Sequence, residues 1–250
     1  MRERLRQLAR RAGYEVRQHT PLRSFAAARD ALMESRGVDV VLDVGANAGQ
    51  YGELLRERGY GGRIVSLEPV AEPFVELERR ARADGSWEAY RVAASDSDGE
   101  LTLNVTGDSR SSSALPRNER FADVPGWEHK ETQVVPARQL EGLVPELLRA
   151  GERAYLKLDV QGYERQVLAG APTSLDRFEA IELELSVTPL YEGQPGLSEM
   201  LPLLAECGFR PVSLEPILLD EEGMLMELDG LFARTRPTPS RGSPGEAPAA

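Results

Sequence analysis

The chain has 250 residues, 41% of them hydrophobic and 28% charged, enough apolar material for one sizeable core. Thirty Lys+Arg against 41 Asp+Glu leave a formal charge of −11, and so acidic a surface repels phosphate backbones and anionic headgroups, which argues against nucleic acid and membrane as partners. The one cysteine, Cys207, rules out an internal disulfide, and no run approaches the roughly 20 apolar residues of a bilayer span, so a reduced, cytoplasmic protein is expected.

The opening MRERLRQLARRAGYEVRQH is basic and lacks the apolar stretch of a secretory signal; it reads as a short, uncleaved amphipathic helix. Residues 23–36 have helical spacing, with Phe25, Leu32 and Met33 on one side and Gly37 as a stop, so 1–36 form an N-terminal helical segment. At 38–44 (VDVVLDV) the period changes to a short β-branched run, as in a parallel strand buried on both faces. GANAG and a helical QYGELLRERG follow, then a strand at 63–67, a helix through VAEPFVELERRARA and a strand at 87–92. LTLNV at 101–105 alternates like a half-buried strand, whereas 107–127 is polar and aperiodic, and is expected to be a mobile lid. Strand and helix alternate again through AYLKLDV at 154–160, a helix at 161–170, AIELELS at 180–186 and a helix at 197–207. Strands at 209–214 and 224–232 close as a hairpin over DEEG, and 236–250 has the composition of a disordered tail. The pattern predicts an α/β, Rossmann-like doubly wound sheet over 37–235 with helices on both faces.

In VVLDVGANAG, Asp43 closes a strand, and Gly45, Asn47 and Gly49 fill the turn into a helix, where Asn tolerates positive φ and Gly lets backbone approach a ligand. The dinucleotide fingerprint G-x-G-x-x-G is missed, because Asn47 stands at its second glycine and Gln50 at its third. An acid just before the loop attracts a cation, and S-adenosylmethionine carries both an ammonium and a sulfonium, so Asp43 suits that cofactor better than a phosphate. Glu68 ends the next strand, where a carboxylate can accept from both ribose hydroxyls. After the third strand, Ala93 and Ala94 leave room for a flat ring and Asp96 can accept from an adenine amino group. Each acid alone also reads as a solvated cap; three at successive strand ends mark the ligand-binding edge of an open α/β sheet.

YLKLDVQGYE puts Asp159 at the end of a buried strand, and Glu184, on the same face as Glu182, lies on the next strand. Buried carboxylates need partners. Asp159 and Glu184 can bind a hard cation or position a substrate hydroxyl; the plainer reading is a helix cap and an arginine pair. His129, in WEHKE, is the one histidine outside the leader and a candidate general base if the segment swings over the methyl donor.

VLDVGANAGQYG, SLEPV, VAASDSDG, SSSAL, LKLDVQGYE, LELS and LYEG fall in the order of the FkbM-type methyltransferases, and over roughly 38–234 the chain resembles that family. The resemblance implies a class I methyltransferase sheet of seven strands, the last antiparallel, and methyl transfer from S-adenosylmethionine to a hydroxyl on a natural product or sugar. It assigns the cofactor loop to Asp43, Gly45, Ala46, Asn47, Gly49 and Gln50, the ribose side to Glu68 and Pro69, and the adenine side to Ala94 and Asp96. Asp159 and Glu184 match the family's acidic active-edge positions. Gln161 stands where the family usually has glutamate, which lowers the charge beside Asp159; Mg²⁺ or another divalent metal on Asp159 and Glu184 stays an open alternative. The rival readings are an NAD-dependent oxidoreductase and a non-catalytic S-adenosylmethionine-binding protein, and homo-oligomerisation is left open.

Overall fold

The computed structural model describes residues 2–14, 20–121 and 124–235, so the predicted tail at 236–250 lies outside the described residues. Strand β1 (Val40–Val44) is buried along its whole length, which is why its sequence carries no exposed polar alternation. It pairs in parallel with β2 (Arg63–Leu67) on one side and β7 (Ala154–Leu158) on the other. Outward lie β3 (Trp87–Tyr90) beyond β2 and β8 (Phe178–Ser186) beyond β7. The sheet finishes with β10 (Leu225–Arg234), antiparallel to both neighbours, and β9 (Phe209–Leu219), giving the order β3-β2-β1-β7-β8-β10-β9. This is the seven-stranded, doubly wound sheet that the sequence predicts, with its last strand reversed.

Two apolar layers sandwich the sheet. Val40, Leu42, Val44, Leu156 and Leu158 point to the face covered by α5 (Leu140–Leu147), α6 (Glu164–Ala169) and α7 (Leu197–Glu206). Val41, Ile64, Tyr155 and Ala180 point to the other, under α2 (Phe25–Arg36), α3 (Gln50–Glu57) and α4 (Ala71–Ala83). A helix α1 (Arg2–Arg11) precedes them, as expected from its spacing. Among the described residues no helix is long and apolar enough to cross a membrane.

Three elements differ from the sequence reading. LTLNV belongs to a second, three-stranded sheet, in which β5 (Gly99–Thr106) pairs with β6 (His129–Gln139) and β6 with β4 (Ala93–Ser95). β6 was not expected, because its first half is exposed and polar and it contains Pro136; its order comes from pairing with β5. Helix α6 starts at Glu164 and not at 161, since Gln161 (φ +54°) and Gly162 (φ +91°) form a left-handed turn after β7.

Candidate active site

On the face under α2, α3 and α4, side chains change from apolar to polar toward the carboxyl ends of four adjacent strands. Val41 gives way to Asp43, Ile64 to Ser66 and Glu68, Tyr155 to Lys157 and Asp159, and Ala180 to Glu182 and Glu184. The register sets Ser66, Asp43, Lys157 and Glu182 side by side. Each is satisfied locally. The Trp87 indole N–H donates to Ser66 Oγ (3.0 Å), whose hydroxyl donates to Asp43 Oδ2 (3.1 Å). Glu182 accepts from the hydroxyls of Tyr51 (2.9 Å) and Tyr155 and lies 3.6 Å from the buried Arg29 guanidinium of α2.

Above this row opens a cavity of about 590 Å³, within the usual range of small-molecule sites. Its first wall is the loop after β1. Gly45 has φ +83°, and a Cβ there would stand 1.9 Å from the Asp159 carbonyl oxygen, so glycine is required by the close approach of two strand ends. Asn47 takes φ +48°; its N–H donates to Glu68 Oε2 (2.8 Å), while Glu68 Oε1 accepts from Val70 N–H (2.7 Å). Burial, only partly offset by these donors, pushes Glu68 up to about 7. Asp43 is likewise pushed up to about 7 by burial, against the lowering effects of Ser66 and Lys157.

The far wall carries Asp159 and Glu184. The Gln161 amide nitrogen donates to both, at 3.0 Å to Asp159 Oδ1 and 2.8 Å to Glu184 Oε2. Lys157 Nζ lies 3.8 Å from Asp159 Oδ2; burial alone would lower this amine, but Asp159 and Glu182 outweigh it and hold it raised, hence charged. Burial and the neighbouring Asp159 drive Glu184 well above the usual carboxylate range. The roof is the crossing between β5 and β6. Ser109 Oγ accepts from Asn47 Nδ2 (2.9 Å), Ser113 Oγ donates to the Gln161 carbonyl (2.6 Å), and Trp127 closes the outer end with Leu218 of β9.

The model of the Methyltransferase FkbM domain matches residues 43–211, well over half of the sequence and every strand end just described. The chain belongs to this family. It is therefore an S-adenosylmethionine-dependent methyltransferase, and its strand order is that of the class I fold. Among solved structures it is similar to the Burkholderia thailandensis 1,6-didemethyltoxoflavin-N1-methyltransferase with bound 1,6-didemethyltoxoflavin and S-adenosylhomocysteine, at 16% identity over 84% of this chain and 77% of that one, TM-score 0.44. An rRNA methylase from Streptococcus thermophilus matches at 12% identity over 84% and 96%, TM-score 0.43. Both likenesses are distant, and the substrates named belong to those proteins. No curated protein matches the sequence.

This FkbM-family cavity gathers most of the predicted residues. Asp43, Gly45, Ala46, Asn47 and Gln50 line it from the first loop, Glu68 and Pro69 from the second, Ala94 from the third, and Asp159 and Glu184 from the far wall. Three fall elsewhere. Gly49 caps α3 and faces the Leu77 and Trp87 side chains, so it serves helix-on-sheet packing. Asp96 is exposed and turns to the hydroxyls of Ser95 and Ser97, away from the cavity. His129 begins β6, exposed, with its ring 3.4 Å from Thr132 Oγ1 and outside the cavity lining; strand pairing holds the segment that was expected to swing.

A divalent metal does not fit this donor set. Among the described residues no group of three or more His, Cys, Asp or Glu side chains is arranged to hold one, and the space between Asp159 and Glu184 is taken by an amide N–H₂ that cannot ligate. Lys157 and Glu227 also line the cavity and went unnoticed in the sequence. The period-two row Tyr155, Lys157, Asp159 was the signal for the lysine.

Proposed function

We propose that this methyltransferase acts on a hydroxyl oxygen of a small, uncharged molecule, a natural product or sugar. The observation that carries the reading is the Asp159–Glu184 pair, two acids on adjacent strand ends, bridged by one amide and opening into the cavity that the first loop also lines. When bound, S-adenosylmethionine supplies a methyl group activated on a sulfonium sulfur. Each Glu68 oxygen accepts one backbone N–H and keeps a lone pair for a ribose hydroxyl. Asp43 adds negative charge for a cationic ligand. Asp159, beside the Lys157 ammonium, accepts the acceptor's O–H, orients the oxygen for in-line displacement and takes its proton. The roof, tied by Ser109 to Asn47, keeps water out.

Substrate class follows from charge. Asp43, Glu68, Asp108, Asp159, Glu184 and Glu227 line the cavity against Lys157 and Arg110, which disfavours phosphate-bearing acceptors, while Trp127 and Leu218 offer an apolar face. The single cysteine and the acidic surface favour a cytoplasmic setting.

Calorimetric titration with S-adenosylmethionine, NAD and NADP tests the cofactor; heat with the nicotinamides alone would favour the oxidoreductase. Incubation with glycosides, polyketides and phenols, read by S-adenosylhomocysteine release and the mass of the product, tests the acceptor. Methylation found on nitrogen or on RNA, with none on oxygen, overturns the reading. Asp159→Asn should slow turnover about 100-fold with the cofactor Kd nearly unchanged.

A further inference from the structure

We propose that Gln161 is a positioning residue whose carboxamide, aimed by Tyr191, holds the Asp159 and Glu184 carboxyl groups together and facing the acceptor, a role otherwise open to a bound cation. The inference rests on the reading that these two acids face the acceptor hydroxyl.

Two carboxylates this close repel each other and gain from sharing a donor. An amide N–H₂ has two hydrogens, and here each carboxylate takes one, at 3.0 and 2.8 Å. The assignment of nitrogen and oxygen follows from the surrounding bonds. Arg117 Nη2 donates to Tyr191 Oη (3.4 Å), the single hydrogen of the Tyr191 hydroxyl is shared between Gln161 Oε1 (2.9 Å) and the Ser111 carbonyl (3.1 Å), and the carboxylate oxygens on the other side take the amide nitrogen. Donors thus run one way, from a guanidinium through a phenol and an amide to the carboxylates. Flipping the amide would set its oxygen against two acids.

The backbone supports the same aim. A left-handed φ of +54° at a non-glycine costs about 1 kcal/mol and persists where the surroundings impose it. Ser113 Oγ donates to the Gln161 carbonyl, and Glu164 Oε1 accepts from the N–H groups of Val160 and Gly162. Because the amide is neutral, it leaves Asp159 Oδ2, beside Lys157, for the acceptor. The other charged groups facing the pair are Lys157 on β7, Glu182 on β8, Glu227 and Asp229 on β10, Glu164 on α6 and Asp43 on β1. None of them changes in the variants below.

The test compares wild type with Gln161→Leu, which keeps the bulk and loses both donors, and Tyr191→Phe, which frees the amide to turn. The carboxyl groups are titrated by infrared difference spectroscopy in the substrate-free protein, and kcat, KM and the cofactor Kd are measured alongside. Gln161→Leu should raise the Glu184 titration further, by about one pH unit or more, and move the acid limb of kcat upward with it. Its kcat should fall about 100-fold, and Tyr191→Phe should follow in the same direction by about tenfold. A fall in kcat with the carboxyl titration unmoved assigns Gln161 a merely structural role and overturns the proposal, as does wild-type behaviour of Gln161→Leu. Wild-type activity lost on EDTA treatment and restored by Mg²⁺ overturns it as well. The titration needs no acceptor, so a shift there with no hydroxyl methylation would reject the proposed function and leave the Gln161 linkage standing.

Discussion

The floor of the cavity is carried by four parallel strands whose register sets Ser66, Asp43, Lys157 and Glu182 side by side, whereas its roof, the crossing after β5, is joined to the floor loops through the side chains of Ser109 and Ser113. Backbone ladders resist single substitutions and transmit them to the whole sheet. Side-chain ties give way one at a time. Errors in the floor should therefore cost folding or cofactor binding, and errors in the roof should cost closure alone.

The largest effect is expected at Gly45, where two strand ends nearly touch. In Gly45→Val a Cβ would collide with the Asp159 carbonyl, and the β-branched residue would also resist φ +83°. Thermal melts should show a lower Tm and calorimetry no S-adenosylmethionine heat; a stable protein with ordinary affinity would refute the close approach. Next comes Arg29, the buried cation beside Glu182. Arg29→Leu strands Glu182 on two tyrosine hydroxyls and should cost about 3–5 kcal/mol in urea unfolding, an effect with no counterpart in the roof.

At Glu68 the comparison turns on pH. Removing the carboxylate in Glu68→Ala should weaken cofactor binding by about 1.5–3 kcal/mol, the range for a hydrogen bond to a charged group. Burial holds Glu68 and Asp43 at about 7, above their ordinary values, so the folded protein binds protons that the unfolded chain has released. Stability without cofactor should then fall as pH rises from the usual carboxylate range to about 7 and level off above it. Affinity for a cationic cofactor should rise across the same window, as the two acids ionise. Parallel slopes in the two measurements would show that these carboxylates do not meet the cofactor's charge.

Floor and roof also differ in how far they were legible. The VVLDV strand, its glycine loop and the acids ending successive strands could be read, because burial on both faces and turns at strand ends leave local marks. Glu182 and Glu184 share a face as period two requires, yet only Glu184 opens to the cavity, since Glu182 is taken by Tyr51, Tyr155 and Arg29 from elsewhere in the chain. Asp96 follows β4 directly, and its side chain accepts from the Ser95 and Ser97 hydroxyls outside the cavity lining, a local choice that spacing does not reveal. The roof left no such marks. β6 is ordered by its partner β5, and the Gln161 bridge depends on a left-handed turn that no spacing announces.

The smallest effect should be at Ser109, and it is the one that isolates the roof. Ser113 is pinned twice, by backbone pairing with Asn104 and by its hydroxyl on the Gln161 carbonyl, and Asn118 N–H donates to the Leu190 carbonyl. Ser113 and Asn118 thus tie the roof on its acceptor side, and the lid expected from the sequence would have to open against these bonds. Among the described residues, the bond from Asn47 Nδ2 to Ser109 Oγ is a half-exposed hydrogen-bond tie between the cofactor loop and this roof. Ser109→Ala removes it at a cost of about 0.5–1.5 kcal/mol, which should speed limited proteolysis near 107–112 several-fold and leave global stability almost unchanged. S-adenosylhomocysteine should slow that cleavage in wild type more than in the variant, because ligand and tie hold the same loop. Equal cleavage rates in both proteins would mean that the roof is held from its acceptor side alone.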